Sequence, residues 1–475
     1  MVFSSPVFLF VFLPLVFLLY KVAPGKTKNV ILIFFSLLFY AWGEPFYVLL
    51  MLLSVAVNYG ISLALGSAQF LKHRREMRLV LVVALVFNIG MLFVFKYANF
   101  FVDNLNLLLQ LNINVSTIRL PIGISFFTFQ AMSYTIDVYR GGTKAQKNPL
   151  NVLLYISFFP QLIAGPIVLY SDIEKQIKTR VETSEKTVDG IKRFVVGLSK
   201  KLLLANTFGV VADQVFSLDT SHVNIVIAWV GALTYAMQIY FDFSGYSDMA
   251  IGLAKIFGFE LKENFDYPYT ANSIKKFWRR WHISLSGWFK EYLYIPLGGS
   301  RRGTMRTAIN LLIVFFCTGI WHGAQWTFVV WGFYHGMFIM LERVGVIRPD
   351  RFKIPGLARL YTLLVVITAF VIFRATTIQQ GLVLIGKMFV GWQMSAEAPV
   401  LVSRILSPYV IVILLVGVLA ATPWPKIMAN RLVLRLKKRP MLTELSSMGV
   451  TMILFFVCLL SLSSTTYNPF IYFRF

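Results

Sequence analysis

Long apolar segments recur along the whole chain and constrain its fold more than any other feature of the sequence. A helix needs about 17–25 mostly apolar residues to cross a bilayer, and fewer where protein shelters it. Only 14% of the 475 residues are charged, against roughly 25% in soluble domains. The sequence therefore predicts an all-α polytopic membrane protein with about 11–12 transmembrane helices. We expect the crossings at 6–20, 29–42, 46–65, 79–95, 121–139, 194–216, 224–241, 307–321, 327–341, 360–373, 408–421 and 450–462.

The net charge of +24 is distributed as short Lys and Arg clusters between these apolar segments. Nucleic-acid binding needs a basic face on a soluble domain, so no nucleic-acid partner is expected. Basic loops instead stay in the cytoplasm and lie near anionic lipid headgroups. The clusters lie at 72–78, 144–147, 279–306, 343–353 and 426–439. Placing them all in the cytoplasm puts both termini outside it. Segment 1–20 has its lysines after the apolar run, unlike a cleaved signal peptide.

Two segments do not fit as simple crossings. Residues 150–170 are apolar, but Pro160 and the Gly165-Pro166 pair interrupt them. Residues 242–306 mix Trp and Tyr with Arg, Lys, Glu and Ser, a composition typical of the membrane interface. We expect re-entrant or interfacial helices in both, within a single membrane domain that spans 1–475.

Two histidines stand out because each directly follows a tryptophan within this apolar chain: His282 and His322. Imidazole moves protons near neutral pH, and an ionisable side chain in lipid is a functional candidate. His322 follows an apolar run and lies between Gly319 and Gly323, which permit close approach of a backbone or ligand. It is a candidate general base towards a hydroxyl, within region 307–345. A histidine that only packs between helices is the alternative, and the residues alone leave both open.

His282 follows Trp278 by four residues and precedes Ser286 by four, a spacing that predicts a shared helix face. An interfacial histidine facing water is the alternative. The remaining histidines are expected to pack or to be solvated: His73, His222 and His335.

Other chemistries have little support in the sequence. Cys317 and Cys458 lack metal-site spacing, and no His-x-x-x-His pair occurs, so no metal site is expected. There is no Gly-x-Ser-x-Gly nucleophile motif and no P-loop. Asp242 and Asp248 flank a predicted bend, where helix capping or ion pairs with Arg279 or Arg280 are favoured over catalysis.

The last residues, 466–475, form an aromatic tail that ends in Phe-Ile-Tyr-Phe-Arg-Phe. A free tail would rarely be so apolar, so we expect it to fold into a cavity or against a partner. The hydroxyl of Tyr472 can accept an acyl group if a base removes its proton. An aromatic anchor at the membrane interface is the alternative.

Six stretches of the sequence are distinctive: Leu-Pro-Ile-Gly-Ile-Ser-Phe (120–126), Ile-Ala-Gly-Pro (163–166), Tyr-Phe-Asp-Phe-Ser-Gly-Tyr-Ser-Asp-Met-Ala-Ile-Gly (240–252), Phe-Trp-Arg-Arg-Trp-His-Ile-Ser-Leu-Ser (277–286), Tyr-Ile-Pro-Leu-Gly-Gly (294–299) and Trp-His-Gly (321–323). Through these stretches, the chain from its first residues to about Glu342 resembles the membrane-bound O-acyltransferase family, in particular its bacterial polysaccharide branch.

This resemblance implies a ring of membrane helices around a central funnel in a bacterial inner membrane. It implies that His322 is the catalytic histidine, that His282 is a second active-site histidine and that Tyr472 carries the acyl group. No permanently bound cofactor is expected. Acetyl-CoA is the expected donor, with Trp278, Arg279 and Arg280 on the donor side.

The expected activity is O-acetylation of an exopolysaccharide. Alginate is the first candidate polymer and cellulose the second. The expected partner is a periplasmic or extracellular protein that resembles an acetyltransferase or an esterase. D-alanyl transfer to teichoic acid, and a transporter or flippase with a histidine proton relay, remain the alternatives.

Overall fold

The computed structural model describes residues 1–67, 74–392, 398–435, 440–464 and 467–470. Within these ranges the regular secondary structure is entirely helical. The helices are α1 (Phe8–Val22), α2 (Lys28–Gly43), α3 (Tyr47–Leu65), α4 (Arg74–Leu109), α5 (Ile124–Arg140), α6 (Pro149–Ser157), α7 (Phe159–Leu162), α8 (Tyr170–Lys178), α9 (Ser184–Ser217), α10 (Ile225–Ile256), α11 (Ile274–Trp278), α12 (Ile283–Phe289), α13 (Gly303–His322), α14 (Trp326–Val344), α15 (Leu357–Arg374), α16 (Ile378–Val390), α17 (Ala398–Ile405), α18 (Pro408–Ala420), α19 (Trp424–Arg435) and α20 (Pro440–Ser464).

The described part of the chain has seven helices that are long and apolar enough to cross a membrane, and the protein is a multi-pass membrane protein. They are α3, α4, α9, α10, α13, α15 and α20. An eighth crossing results if α17 and α18, bent by 57°, form one span. Fewer helices qualify than the expected 11–12: among the expected crossings, α1 and α2 are apolar but shorter, and α5 and α14 are not among the qualifying helices. The 17-residue helix α5 is nearly all buried, including its Ser, Thr and Gln side chains.

Helix α10 continues through Asp242 and Asp248, where the sequence predicted a bend and the start of a re-entrant segment. Both aspartates are neutralised by lysines of α9. Lys201 lies 2.7 Å from Asp242, and Lys200 lies 2.6 Å from Asp248. The two lysines begin a π-helical turn that interrupts α9 at Lys200–Ala205. The expected pairing of these aspartates with Arg279 or Arg280 is therefore wrong.

The chain separates into two compact units. The first comprises residues 1–194 and 249–262, and the second comprises 195–248 and 263–475. In the first unit, Phe8, Phe12, Phe39 and Phe159 form an aromatic cluster with ring centroids 5.4–6.4 Å apart. Asn58 of α3 and Asn88 of α4 exchange reciprocal hydrogen bonds of 3.1 and 2.9 Å. Such pairing satisfies polar groups that lipid cannot.

The segment 150–170 forms two short helices, α6 and α7, followed by irregular chain. Neither helix is long enough to cross a bilayer. The irregular backbone is buried, and its polar groups find partners inside the protein: the Tyr155 hydroxyl donates to the carbonyl of Val168 at 2.9 Å. This satisfies the requirement that non-helical chain at membrane depth be covered by protein.

A charged cluster precedes α9 in the first unit. Glu182 accepts hydrogen bonds from Tyr20 at 2.5 Å and from Lys28 at 2.7 Å. Burial alone would raise the pKa of Glu182, but these bonds and the charges of Lys28 and Arg180 lower it below the usual value. The cluster fixes the loop that leads into α9.

In the second unit, the core is formed by buried apolar residues of α9, α10, α13, α14 and α15. Helices α13 and α14 approach closely because glycines face each other at the crossing. A Cβ on Gly319 would overlap the Phe328 carbonyl, and one on Gly332 would overlap the Phe315 carbonyl. This contact sets the position of His322, three residues after Gly319.

Candidate active site

The chain turns sharply at His282 and does not continue as one helix from Trp278. Helix α11 ends at Trp278, and α12 begins at Ile283. His282 has φ +45°, in the left-handed region. The backbone N–H of Ile283 donates to the carbonyl of Asn264 at 3.0 Å, which ties the turn to a segment 18 residues before His282. The expected shared helix face of Trp278, His282 and Ser286 is therefore wrong.

The side chain of Asn264 defines the protonation of His282. Its Oδ1 accepts from the backbone N–H of Ser284 at 3.1 Å and from the Ser284 hydroxyl at 2.9 Å. A backbone N–H only donates, so the oxygen position is fixed. The same oxygen lies 3.3 Å from Nδ1 of His282. In neutral imidazole, this arrangement favours the tautomer with the proton on Nδ1 and the lone pair on Nε2.

His322 is the last residue of α13 and is 6% exposed. Aromatic rings surround it: the centroids of Trp321, Trp331 and Phe373 lie 5.1, 5.0 and 5.2 Å from the imidazole centroid, all nearly perpendicular to it. The position is therefore defined by packing on several sides, as a catalytic group requires.

His282 and His322 lie close together in the second unit. The ring of Trp321 contacts both, since its centroid is 5.9 Å from that of His282. The two imidazoles are near enough to interact electrostatically. Phe243 of α10 packs edge-on against the other side of His282, at 4.6 Å. The structure thus brings together the two histidines that the sequence singled out.

The glycines beside His322 serve helix packing. Gly319 faces α14, as described above, and a Cβ on Gly323 would overlap the ring of Phe328. The close approach predicted from these glycines occurs, and the approaching group is a neighbouring helix.

His335 belongs to the same aromatic cluster but has a different partner. It is fully buried in α14, and its Nδ1 accepts a hydrogen bond from the indole N–H of Trp278 at 3.4 Å. Its ring also packs against Trp331 at 5.1 Å. The expectation of a packing histidine agrees with this environment. His222 is exposed at Thr220–His222, and His73 lies outside the described residues.

A cavity of about 850 Å³ opens beside α11–α14. Its mouth carries mainly basic side chains, with the acidic Glu342 and Asp350 among them, and its interior is apolar and aromatic. The basic lining residues are Lys275, Lys276, Arg279, Lys290 and Arg343. The interior is lined by Trp278, Leu285, Phe289, Val314, Phe315 and Thr318. A ligand with a negatively charged head and a slender, less polar arm fits this distribution of charge.

One face of α13 connects the cavity mouth with His322. Thr304, Leu311, Phe315 and Thr318 line the cavity at helical spacing. His322 follows Thr318 by four residues, one turn further on the same face. At 1.5 Å per residue, the distance along α13 from Thr304 to His322 is about 27 Å. The cavity thus runs along α13 and ends about one turn from His322.

Of the three residues expected on the donor side, Trp278 and Arg279 line the cavity. Arg280 does not appear among its lining residues. Its guanidinium instead donates to the Thr270 hydroxyl at 2.7 Å and lies 3.8 Å from the Asp266 carboxylate. Arg280 therefore holds the segment 264–270 in place.

Several site residues were not singled out by the sequence analysis. Glu342 accepts from the backbone N–H groups of Ile274 and Lys275, at 2.7 and 3.1 Å, and so fixes the start of α11 at the cavity. Lys275, Lys276 and Arg343 had no distinguishing local motif. The only sequence feature that marks Asn264 is its position directly before an aromatic stretch. That feature alone is too weak to identify a site residue.

Tyr472 lies outside the described residues, with the rest of 471–475. The described part of the tail, 467–470, is docked in the second unit. Phe470 is buried and stacks on Tyr246 at 4.7 Å. Tyr246 lies one helical turn after Phe243, the residue that touches His282. Among the described residues, no group of three or more His, Cys, Asp or Glu side chains is arranged to hold a metal ion.

Comparison with known proteins identifies the family. The sequence model of the membrane-bound O-acyltransferase family matches residues 142–385, which include Asn264, His282, His322 and the residues that line the cavity. The chain belongs to the membrane-bound O-acyltransferase family. This O-acyltransferase is 40% identical over the full length of both chains to the probable alginate O-acetylase AlgI of Pseudomonas putida.

Two further relatives cover most of this O-acyltransferase. The probable alginate O-acetylase AlgI of Pseudomonas aeruginosa is 43% identical over 83% of this chain and 76% of its own. The peptidoglycan O-acetyltransferase of Helicobacter pylori is 38% identical over 80% of this chain and 78% of its own. The names of all three relatives describe O-acetylation. Two of them name alginate, and the third names peptidoglycan.

Proposed function

We propose that this O-acyltransferase takes an acetyl group from a cytoplasmic donor, acetyl-CoA, and passes it across the inner membrane for O-acetylation of an exopolysaccharide. The cavity carries this proposal: it has a basic mouth, an apolar interior and an end one turn from His322. The mouth suits the phosphates of a nucleotide donor, which Arg and Lys bind well. The apolar interior suits its thioester arm.

The two histidines have distinct roles in the proposed reaction. His322 removes the proton from the phenol of Tyr472 as the phenolic oxygen attacks the thioester carbonyl carbon. The carbon–sulfur bond breaks, and the proton passes from His322 to the leaving thiolate. His282, with Nδ1–H held by Asn264, presents Nε2 as an additional proton acceptor, or the ring binds and orients the donor.

The docked tail supports the part of the proposal that involves Tyr472. Tyr472 follows Phe470 by two residues, which span at most about 7 Å. Phe470 stacks on Tyr246, one turn from the residue that contacts His282. The acetyl-tyrosine then loses its acetyl group to a sugar hydroxyl, through a periplasmic or extracellular acetyltransferase-like or esterase-like partner. Alginate is the first candidate polymer because two relatives carry that name, and cellulose is the second.

Radiolabelled acetyl-CoA tests the proposal with the purified protein in lipid nanodiscs. We expect label on the wild-type chain, no label on Tyr472→Phe, and at least about a hundredfold slower labelling of His322→Ala, as for loss of a general base. Tyr409→Phe, an exposed tyrosine on α18, is the matched control.

Three results would contradict parts of the proposal. Labelling of Tyr472→Phe at the wild-type rate would remove the tyrosine as carrier. Failure of the wild type to be labelled by acetyl-CoA, with efficient labelling by an activated D-alanine, would favour D-alanyl transfer. Proton-coupled transport without any labelled protein would favour the transporter alternative.

A further inference from the structure

The described end of the tail is held by polar side chains that have no part in the proposed chemistry. They lie on α9, α10 and α15, in the same unit as the histidines. The side chains that contact residues 467–470, which we name the tail receptor, are Lys201, Asn206, Asp213 and Tyr246, with Arg374 behind Asp213.

Asp213 makes a charge-assisted contact with the tail. Its Oδ2 accepts a hydrogen bond of 2.7 Å from the hydroxyl of Tyr467. Its Oδ1 accepts one of 2.6 Å from the guanidinium of Arg374, so the carboxylate is held in place from both sides. A hydrogen bond to an ionised group is roughly twice as strong as one between neutral groups.

The tail backbone is also contacted, which fixes its position along the receptor. Asn206 donates from Nδ2 to the carbonyl of Tyr467 at 3.1 Å. The ammonium of Lys201 donates to the carbonyl of Pro469. Lys201 is itself 3% exposed and paired with Asp242, so its position is fixed. Contacts at residues 467, 469 and 470 leave a single register for the segment.

The face of α9 that meets the tail is built for close approach. Asn206, Gly209 and Asp213 recur at helical spacing and share one face. A Cβ on Gly209 would lie 2.9 Å from the hydroxyl oxygen of Tyr467 and 2.7 Å from the side-chain nitrogen of Gln238. A glycine here lets Tyr467 reach Asp213.

We propose that the tail receptor anchors residues 467–470 and thereby sets the register in which Tyr472 reaches the histidines. The inference rests on the proposed role of Tyr472 as acyl carrier. Asp213, Asn206 and Lys201 are positioning residues, because they contact the tail and not the reacting atoms. The link between Phe470 and Tyr472 is short, so an error of one residue in register displaces the phenol by about 3.3 Å or more.

Tail anchoring is measured separately from activity, with the full chain in nanodiscs. Carboxypeptidase is added, and mass spectrometry follows the removal of the residue at position 467. The Tyr467→Phe variant loses only one hydroxyl group. We expect this removal to be about tenfold faster in Tyr467→Phe than in the wild type, the factor expected for loss of a charge-assisted hydrogen bond. Tyr409→Phe should match the wild type.

A double-mutant cycle isolates the contact. Asp213→Asn should speed removal by a similar factor, and the double variant should be no faster than either single variant, because the two changes remove the same bond. Equal removal rates in the wild type, Tyr467→Phe and Asp213→Asn would overturn the proposal that the tail receptor anchors residues 467–470.

The register is tested by inserting one glycine between Phe470 and Ile471. The insertion leaves the anchored residues intact and lengthens the link to Tyr472. We expect removal at position 467 to stay at the wild-type rate while transfer of acetyl from acetyl-CoA falls at least about tenfold, since misplacement of a reacting group is costly. Full transfer activity after insertion would overturn the register role.

Failure of the carrier role is distinguishable from failure of the receptor. Suppose that Tyr472→Phe transfers acetyl normally while Tyr467→Phe and Asp213→Asn release the tail faster. Anchoring by the tail receptor is then supported, and both the carrier role of Tyr472 and the register role are contradicted. If Tyr472→Phe is inactive but Tyr467→Phe, with a released tail, transfers normally, the carrier stands and the positioning role is overturned.

Discussion

His282 and His335 are both buried in the same unit, yet their hydrogen-bond partners favour opposite tautomers of the imidazole ring. Asn264 presents an oxygen to Nδ1 of His282, so Nε2 of that ring has the lone pair. Trp278 presents an indole N–H to Nδ1 of His335, so Nε2 of that ring carries the proton. A neutral imidazole with a lone pair at Nε2 can accept a proton there, whereas His335 can only donate from it. Burial alone therefore does not identify a base; the partner atom does.

The largest expected effect comes from His282→Asn. Asparagine tolerates the left-handed backbone at this position, so the change removes the imidazole with little strain. We expect polymer acetylation in cells to fall at least about a hundredfold. His335→Gln, which keeps an acceptor for Trp278, should stay within a few-fold of wild type. Similar losses of polymer acetylation in both variants, at equal protein levels, would contradict different roles for His282 and His335.

An intermediate effect is expected from Asn264→Leu. Without the Asn264 oxygen, His282 is no longer held as the Nδ1–H tautomer, and we expect about a tenfold loss of acetyl transfer together with an altered pH–rate profile. Ser284→Ala removes one of the donors to the same oxygen and serves as the control, with a much smaller loss. An Asn264→Leu protein with the wild-type pH–rate profile would show that Asn264 does not set the tautomer.

The smallest effect is expected on the His335 side. Trp278→Phe keeps an aromatic ring but removes the N–H that bonds His335, so we expect a loss of about 1 kcal/mol in the free energy of unfolding. Thermal unfolding of the detergent-solubilised protein measures it. A loss several times larger would mean that the Trp278–His335 pair is a structural centre of the unit and not one contact among many.

The membrane helices that consist of a long apolar run could be predicted from the sequence, and the turns that form the site could not. Segments 46–65, 307–321 and 360–373 correspond to α3, α13 and α15 within a few residues, because a long apolar run specifies a membrane helix by itself. The turn at His282 depends on Asn264, a residue 18 positions earlier. The straight course of α10 past Asp242 depends on Lys201 in another helix.

The site shows the same division. His282 and His322 were recognisable because an ionisable residue is conspicuous in an apolar chain. Trp278 and Arg279 line the cavity, while Arg280, adjacent in sequence, turns towards Asp266. Which of two neighbouring arginines faces a cavity is decided by the break between α11 and α12. That break in turn depends on contacts between residues distant in sequence.

The rings packed around His322 have a consequence for the electrostatics of the imidazole. Trp321, Trp331 and Phe373 enclose the imidazole at van der Waals distances, and interiors packed in this way exclude water. Hydrated ions are strongly disfavoured in such surroundings. A charge that forms on the His322 imidazole is therefore screened little by water, and its interactions with neighbouring groups are stronger than they would be in a hydrated site.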